Sequence, residues 1–175
     1  MKKKWILLVV VVLLAGTAVT AGAQFRLDGN IQVPFYAGIN LASLGYSGGG
    51  NIGAFIPFPS VEAAWQFPVG PIRLGVGARA FTIIIESLAF PNVFVELPLD
   101  RFVIRADVGG GAFALFGLAS SVSTASTVIP QIDASWRLAD WFRLGVGVVA
   151  IAPFQDLSTF GYAFYVSGRF TALFE

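Results

Sequence analysis

The stretch from Phe25 to Phe35, Phe-Arg-Leu-Asp-Gly-Asn-Ile-Gln-Val-Pro-Phe, decides the fold. Its odd positions, Phe25, Leu27, Gly29, Ile31, Val33 and Phe35, are apolar or small, while Arg26, Asp28, Asn30 and Gln32 alternate with them and Pro34 closes the series. A two-residue period belongs to the β-strand, whose successive side chains point to opposite faces. The alternation recurs down a chain that is 56% hydrophobic, which gives the sheet an oily outer face. A closed sheet of this kind is one of two structures that can cross a bilayer with every backbone polar group satisfied. The pattern reads as an all-β, antiparallel, up-and-down transmembrane barrel.

Parity gives eight strands: Phe25 to about Tyr36, Pro59 to Phe67, Ile72 to Ala80, Asn92 to Leu97, Phe102 to Phe113, Val128 to Arg137, Phe142 to Ile151, and Phe160 to Phe174. Three hairpins look like copies of one unit, each opening on a proline (Pro59, Pro91, Pro130) and returning through an arginine (Arg73, Arg105, Arg143). Two returns share Arg-Leu-Gly-Val-Gly, at 73–77 and 143–147. Pro68–Pro71, Pro98–Arg101 and Leu138–Trp141 read as tight turns on one side, with longer connections on the other, including an uncharged segment at Ala37–Phe58 and a Ser/Thr/Ala segment at Leu115–Thr127. Aromatic residues are expected at both rims, where amphipathic rings settle at headgroup depth. Trp65, Phe67, Trp136, Trp141, Phe142 and Phe174 fall beside the tight turns; Phe35, Tyr36, Phe58, Phe81, Phe113, Phe160 and Tyr162 fall near the loops.

Residues 1–23 carry the three parts of a secretory signal: Lys2, Lys3 and Lys4, an apolar run from Trp5 to Leu14, and small residues ending Ala21-Gly22-Ala23. The expectation is cleavage before Gln24 and a single barrel domain over 24–175; the alternative is an uncleaved anchor, weakened by Gly16, Thr17, Thr20 and Gly22. No later stretch reaches the roughly 18 uninterrupted apolar residues of a membrane helix, so any spans must be strands.

Beyond the leader there are no lysines, and the eight arginines and ten acids form neither a polybasic nor an acidic surface, so nothing points to nucleic acid and no nucleic-acid partner is expected. Twelve of these charges fall on the polar parity of a strand: Arg26, Asp28, Glu62, Arg73, Arg79, Glu96, Arg105, Asp107, Asp133, Arg137, Arg143 and Arg169. An arginine on the lipid face at the midplane costs about 2–4 kcal/mol, so insertion requires this segregation. Since an eight-stranded barrel is only wide enough for side chains to fill, these charges are expected to pair as a structural network in the lumen. A gated pore or an anion pocket is the sharper alternative, suggested by the arginine excess. The same parity predicts that Val146→Arg impairs insertion far more than Val149→Arg, on the opposite face. Gly75, Gly77, Gly109, Gly111, Gly145 and Gly147 share the inward parity and make room for arginines, Phe94 and Tyr165, curve the strands, or leave a small cavity for an apolar ligand.

Catalysis finds little support. The chain has no histidine and no cysteine, which removes Ser-His-Asp hydrolysis, thiol nucleophiles and His- or Cys-ligated metal. Carboxylate pairs surrounded by arginines serve ion pairing more readily than acid–base work. No cofactor or metal is expected, and the protein reads as non-enzymatic.

Leader, eight alternating strands, aromatic rims and a last strand ending in Phe together resemble the small outer-membrane β-barrel proteins, the porin-like group that includes OmpX and the membrane domain of OmpA. The resemblance spans 24–175 and rests on pattern, with no motif shared with one member. It implies residence in the outer membrane of a diderm bacterium, contact with outer-membrane lipid, and recognition of the final strand by the barrel-assembly machinery. Tyr162, Phe164, Val166, Phe170 and Phe174 supply that signal, with Phe174 penultimate rather than last. The resemblance further implies a role in envelope stability, adhesion or passage of small hydrophobic molecules. The leading expectation is a monomeric, non-enzymatic barrel with a structural or surface-interaction role; the alternative is a narrow channel or transporter for a small apolar or anionic solute. A soluble lipocalin-like barrel would need the opposite polarity, apolar inside and charged outside.

Overall fold

A computed structural model describes residues 22–37, 55–83, 86–110, 114–117, 127–154 and 160–174. Nine strands occur in these segments: β1 (Gln24–Ala37), β2 (Phe58–Val69), β3 (Ile72–Ile83), β4 (Glu86–Leu99), β5 (Phe102–Gly110), β6 (Ala114–Gly117), β7 (Thr127–Ala139), β8 (Phe142–Pro153) and β9 (Gly161–Phe174). All pairings are antiparallel, and β3 pairs with β4 as well as β2, so the sheet closes on itself. β5 and β6 share β4 as partner, at 92–99 and 86–89 respectively, and are two pieces of one barrel strand. The result is a closed eight-stranded up-and-down barrel.

Two-residue turns at 70–71, 100–101 and 140–141 join consecutive strands at one end. Gly70 and Asp100 adopt positive φ there, 61° and 56°, the left-handed conformation that glycine takes freely and aspartate tolerates. β1 begins and β9 finishes at this same end, with Phe25 opposite both Trp65 and Phe174. The leader up to residue 21, residues 38–54 and 118–126, Gly111 and Phe113 lie outside the described residues.

Several strands run further toward the loop end than the alternation indicates. β4 starts at Glu86 rather than Asn92, because Leu88 and Phe90 continue the inward parity of Asn92 and Glu96 with apolar side chains. Once both faces are apolar, alternation no longer marks a strand.

The outward positions of the described strands form an uncharged belt: Leu27, Ile31, Val61, Val76, Val93, Ile104, Val108, Ile132, Leu144, Val146 and Val166 are all exposed. Most barrel strands are 12–14 residues long, above the roughly nine to eleven that a tilted strand needs to cross a bilayer. Ring pairs border the belt at the turn end, Phe25 with Trp65 (5.4 Å), Phe102 with Trp136 (5.8 Å) and Phe142 with Phe170 (4.8 Å). At the loop end Phe35, Tyr36, Phe160, Tyr162 and Phe164 cluster on β1 and β9 and the residue just before β9. Phe58 and Phe81, expected in the loop-side rim, instead face inward: their parity is that of Glu62 and Arg79, and both pack in the interior.

Interior glycines are fitted to large neighbours. A Cβ on Gly75 would collide with the Phe94 ring, one on Gly109 with Phe90, and one on Gly147 with the Tyr165 ring and hydroxyl. Gly29, on the lipid face, has nothing within 4 Å. Gly75→Ala is therefore expected to cost about 1–3 kcal/mol by overpacking, whereas Gly29→Ala is neutral or mildly stabilising. Urea midpoints of the two variants refolded in detergent check the contrast.

Candidate functional site

The lumen is filled in layers. Nearest the turns, five arginines and five carboxylates interlock. Arg105 on β5 and Glu96 on β4 are fully buried at its centre, on directly paired backbone positions. The Arg105 guanidinium reaches Glu62 (2.6 Å), Asp107 (3.2 Å), Asp28 (3.5 Å) and Glu96 (3.5 Å), and lies 3.8 Å from the centroid of Phe94, a cation–π platform. Glu96 in turn accepts from Arg26 (2.8 Å) and Arg143 (3.3 Å), with Arg169 at 3.8 Å. Arg79 donates to Glu62, to Asp107 (3.0 Å) and to the Gln131 side-chain oxygen (2.9 Å). Arg26 also holds Asp28 (2.8 Å) and Gln66 (3.1 Å), and Arg169 holds Asp133 (3.1 Å).

Register explains much of this set. Glu62 is paired with Arg79, Arg105 with both Glu96 and Asp133, so inward side chains of adjacent strands meet as opposite charges. The three hairpin arginines do not form one tier. Arg73 and Arg143 are the second residues of β3 and β8, but Arg105 is the fourth of β5 and reaches deeper. Of the twelve charges on the polar parity, ten are in the buried network. Arg73 and Arg137 are only partly buried, with no ion pair among the described residues, and line the opening at the turn end.

Above the ions lies a neutral polar layer of Asn30, Gln32, Asn92, Gln131 and Tyr165, all buried. Above that is an apolar plug of Phe58, Leu88, Phe90, Ile129, Ile151 and Ala163, against which Ala37, Ile56, Phe81 and Val149 pack. Sequence reasoning missed this plug. Its signal was inward parity continuing through apolar residues at the loop ends of β2, β4, β7, β8 and β9. Val149 packs against this plug, so an arginine there would meet apolar side chains and not the charges nearer the turns. Phe94, the platform under Arg105, reads in the sequence only as bulk that a glycine accommodates.

Among the described residues no group of three or more His, Cys, Asp and Glu is placed to hold a metal ion. An open cavity of about 230 Å³ lies at the turn end, bounded by Arg26, Gln66, Arg73, Arg137, Asp140, Arg143, Thr171 and Leu173. A second void, beside Glu62 and Arg79, has no room for a water molecule.

A closed barrel with an uncharged exterior, aromatic rims and a charged, side-chain-filled interior is the architecture of the small outer-membrane β-barrels, because only lipid rewards that inversion of polarity. No protein-family model matches the chain, and no curated protein matches it in sequence. Among solved structures it is similar to neisserial surface protein A, NspA, at 11% identity over 86% of this chain and 96% of that one, with a TM-score of 0.48. It is also similar to a loop-L8 deletion mutant of OmpT, an outer membrane protein of Vibrio cholerae, at 10% identity over 85% of this chain and 49% of that one, with a TM-score of 0.39.

Proposed function

We propose that this protein is a non-enzymatic barrel of the outer membrane of a diderm bacterium, exported by a cleaved 1–23 leader, with a structural role or a surface interaction made by its loops. The observation that carries this reading is the blocked lumen: a charge-balanced ion-pair network lies beneath an apolar plug. A solute would have to break buried ion pairs and displace packed aromatic rings to pass. On this reading the twelve inward charges serve stability and insertion. The outward face of β9, with Tyr162, Phe164, Val166, Phe170 and Phe174, serves recognition by the assembly machinery, and the mature 24–175 chain acts as a monomer in lipid.

Planar-bilayer recording tests the proposal. The expected result is no steady conductance from the wild-type protein. A defined, anion-selective current would overturn the structural reading and establish the channel alternative. Fractionation supplies the second check: the mature chain should stay with carbonate-washed outer membranes and shift in gel mobility on boiling, as a barrel without free edges does. Recovery from the soluble periplasm would refute the membrane assignment.

A further inference from the structure

The buried ions balance before Arg73 and Arg137 are counted, and Asp140 offsets only one of these two, so among the described residues the turn-end opening carries surplus positive charge. Backbone register sharpens the imbalance. Arg137 is directly opposite Arg143, and Arg143 directly opposite Arg169, which sets three guanidinium groups side by side on β7, β8 and β9. Like charges on opposed residues repel. Arg169 is compensated by Asp133 at 3.1 Å. Among the described residues Arg143 has only Glu96, at 3.3 Å, and that carboxylate already serves Arg26 and Arg105. Arg137 has no ion pair among the described residues.

Arg143 provides the second observation. It is only 4% exposed, yet its Nε has no hydrogen-bond partner among the described residues, and the side chain borders the 230 Å³ cavity together with Arg26, Arg73 and Arg137. A buried donor left unmade is costly, and a buried guanidinium with a free donor edge beside an open cavity is suited to an incoming acceptor. Gln66 and Thr171 add uncharged polar groups to the lining, and Asp140 is its one acid among the described residues. The cavity has room for several waters, at about 30 Å³ each, and so for a tetrahedral oxyanion. Guanidinium groups match the oxygens of such a group in paired, charge-assisted hydrogen bonds.

We propose that this cavity binds a phosphate-type oxyanion, either free or as the headgroup of an anionic phospholipid. The anion neutralises Arg73 and Arg137 and supplies acceptors to Arg143. Trp141, Phe142 and Phe170, stacked on the outer wall at this end, set the opening at headgroup depth. The site goes beyond the structural reading above and holds whether or not the barrel conducts.

The test uses the full chain refolded in a zwitterionic detergent, with its thermal unfolding midpoint followed as inorganic phosphate replaces chloride at constant ionic strength. Phosphate is expected to raise the midpoint saturably, as a ligand of the folded state does. The Arg73→Gln/Arg137→Gln variant is expected to keep the heat-dependent gel shift and lose at least tenfold in apparent phosphate affinity. Should the double variant not refold, Arg137→Gln alone gives the same reading. Arg101→Gln, whose backbone carbonyl accepts from the Arg137 N–H but whose side chain is absent from the cavity lining, is expected to bind as wild type. A parallel arm uses phosphatidylcholine nanodiscs with and without phosphatidylglycerol. Stabilisation by the anionic lipid alone assigns the site to a headgroup, and stabilisation by phosphate assigns it to the free ion. The proposal is overturned if neither raises the midpoint, if the double variant responds as wild type, or if Arg101→Gln weakens the response equally. Absence of any heat-dependent shift in the wild type would instead refute the barrel reading.

Discussion

Replacing Arg105 with methionine is expected to destabilise the folded barrel by about 3–5 kcal/mol, the cost of removing one partner from a buried ion-pair set. Arg105 reaches four carboxylates, Asp28, Glu62, Glu96 and Asp107. Arg79 still serves Glu62 and Asp107 in the variant, and Arg26 serves Asp28 and Glu96. The lumen nevertheless keeps one uncompensated negative charge in a space that solvent cannot reach. Methionine preserves volume and contact with the Phe94 ring, so the loss reports charge rather than packing. Arg73→Met, which breaks no ion pair among the described residues, is expected to cost below about 1 kcal/mol. Urea titration of both variants refolded in detergent measures the difference. Equal midpoints would show that water and ions enter the network freely. That outcome would also weaken the argument for a blocked lumen, since the network is half of the barrier to passage.

The second large effect is on insertion. Val146→Arg places a charge on the lipid face of β8, between Ala134 and Val166 on the neighbouring strands, at a position 55% exposed. The expected penalty is about 2–4 kcal/mol at the bilayer midplane, falling to about 0–1 near the interface. Leu138→Arg, equally outward but beside the turn at 140–141, is therefore expected to fold close to wild type. The yield of heat-modifiable protein after refolding into vesicles separates them, and equal yields would refute the membrane register. Val149→Arg is now expected to fail as well, for a different reason. Its side chain is partly buried and packs against the apolar plug, which offers an arginine no carboxylate partner.

Much of the architecture was legible in the sequence because lipid imposes a rule on each strand separately. Along Phe25–Phe35, no outward residue can carry a charge and every inward charge must find a partner, so parity alone sorted the twelve charges of the strand interiors. The tight turns were legible for the same local reason, since Pro-Val-Gly-Pro at 68–71 and Pro-Leu-Asp-Arg at 98–101 suit the chain reversal. The apolar plug was not legible. Leu88 and Phe90 on β4 face inward, but no local pattern separates an apolar residue facing lipid from one facing other apolar side chains.

The sequence by itself determined the strand class, the uncharged exterior and the set of charges that must lie inside, because each follows from two-residue periodicity and the cost of charge in hydrocarbon. Tertiary structure alone decided which charges pair. Closure of the sheet brings Glu96 within reach of Arg26, 70 positions away in sequence, and stagger between strands sends Arg105 to the centre while Arg73 stays at the opening. Ion pairing depends on distances of a few ångströms across the lumen, and those are set by the register of eight strands together.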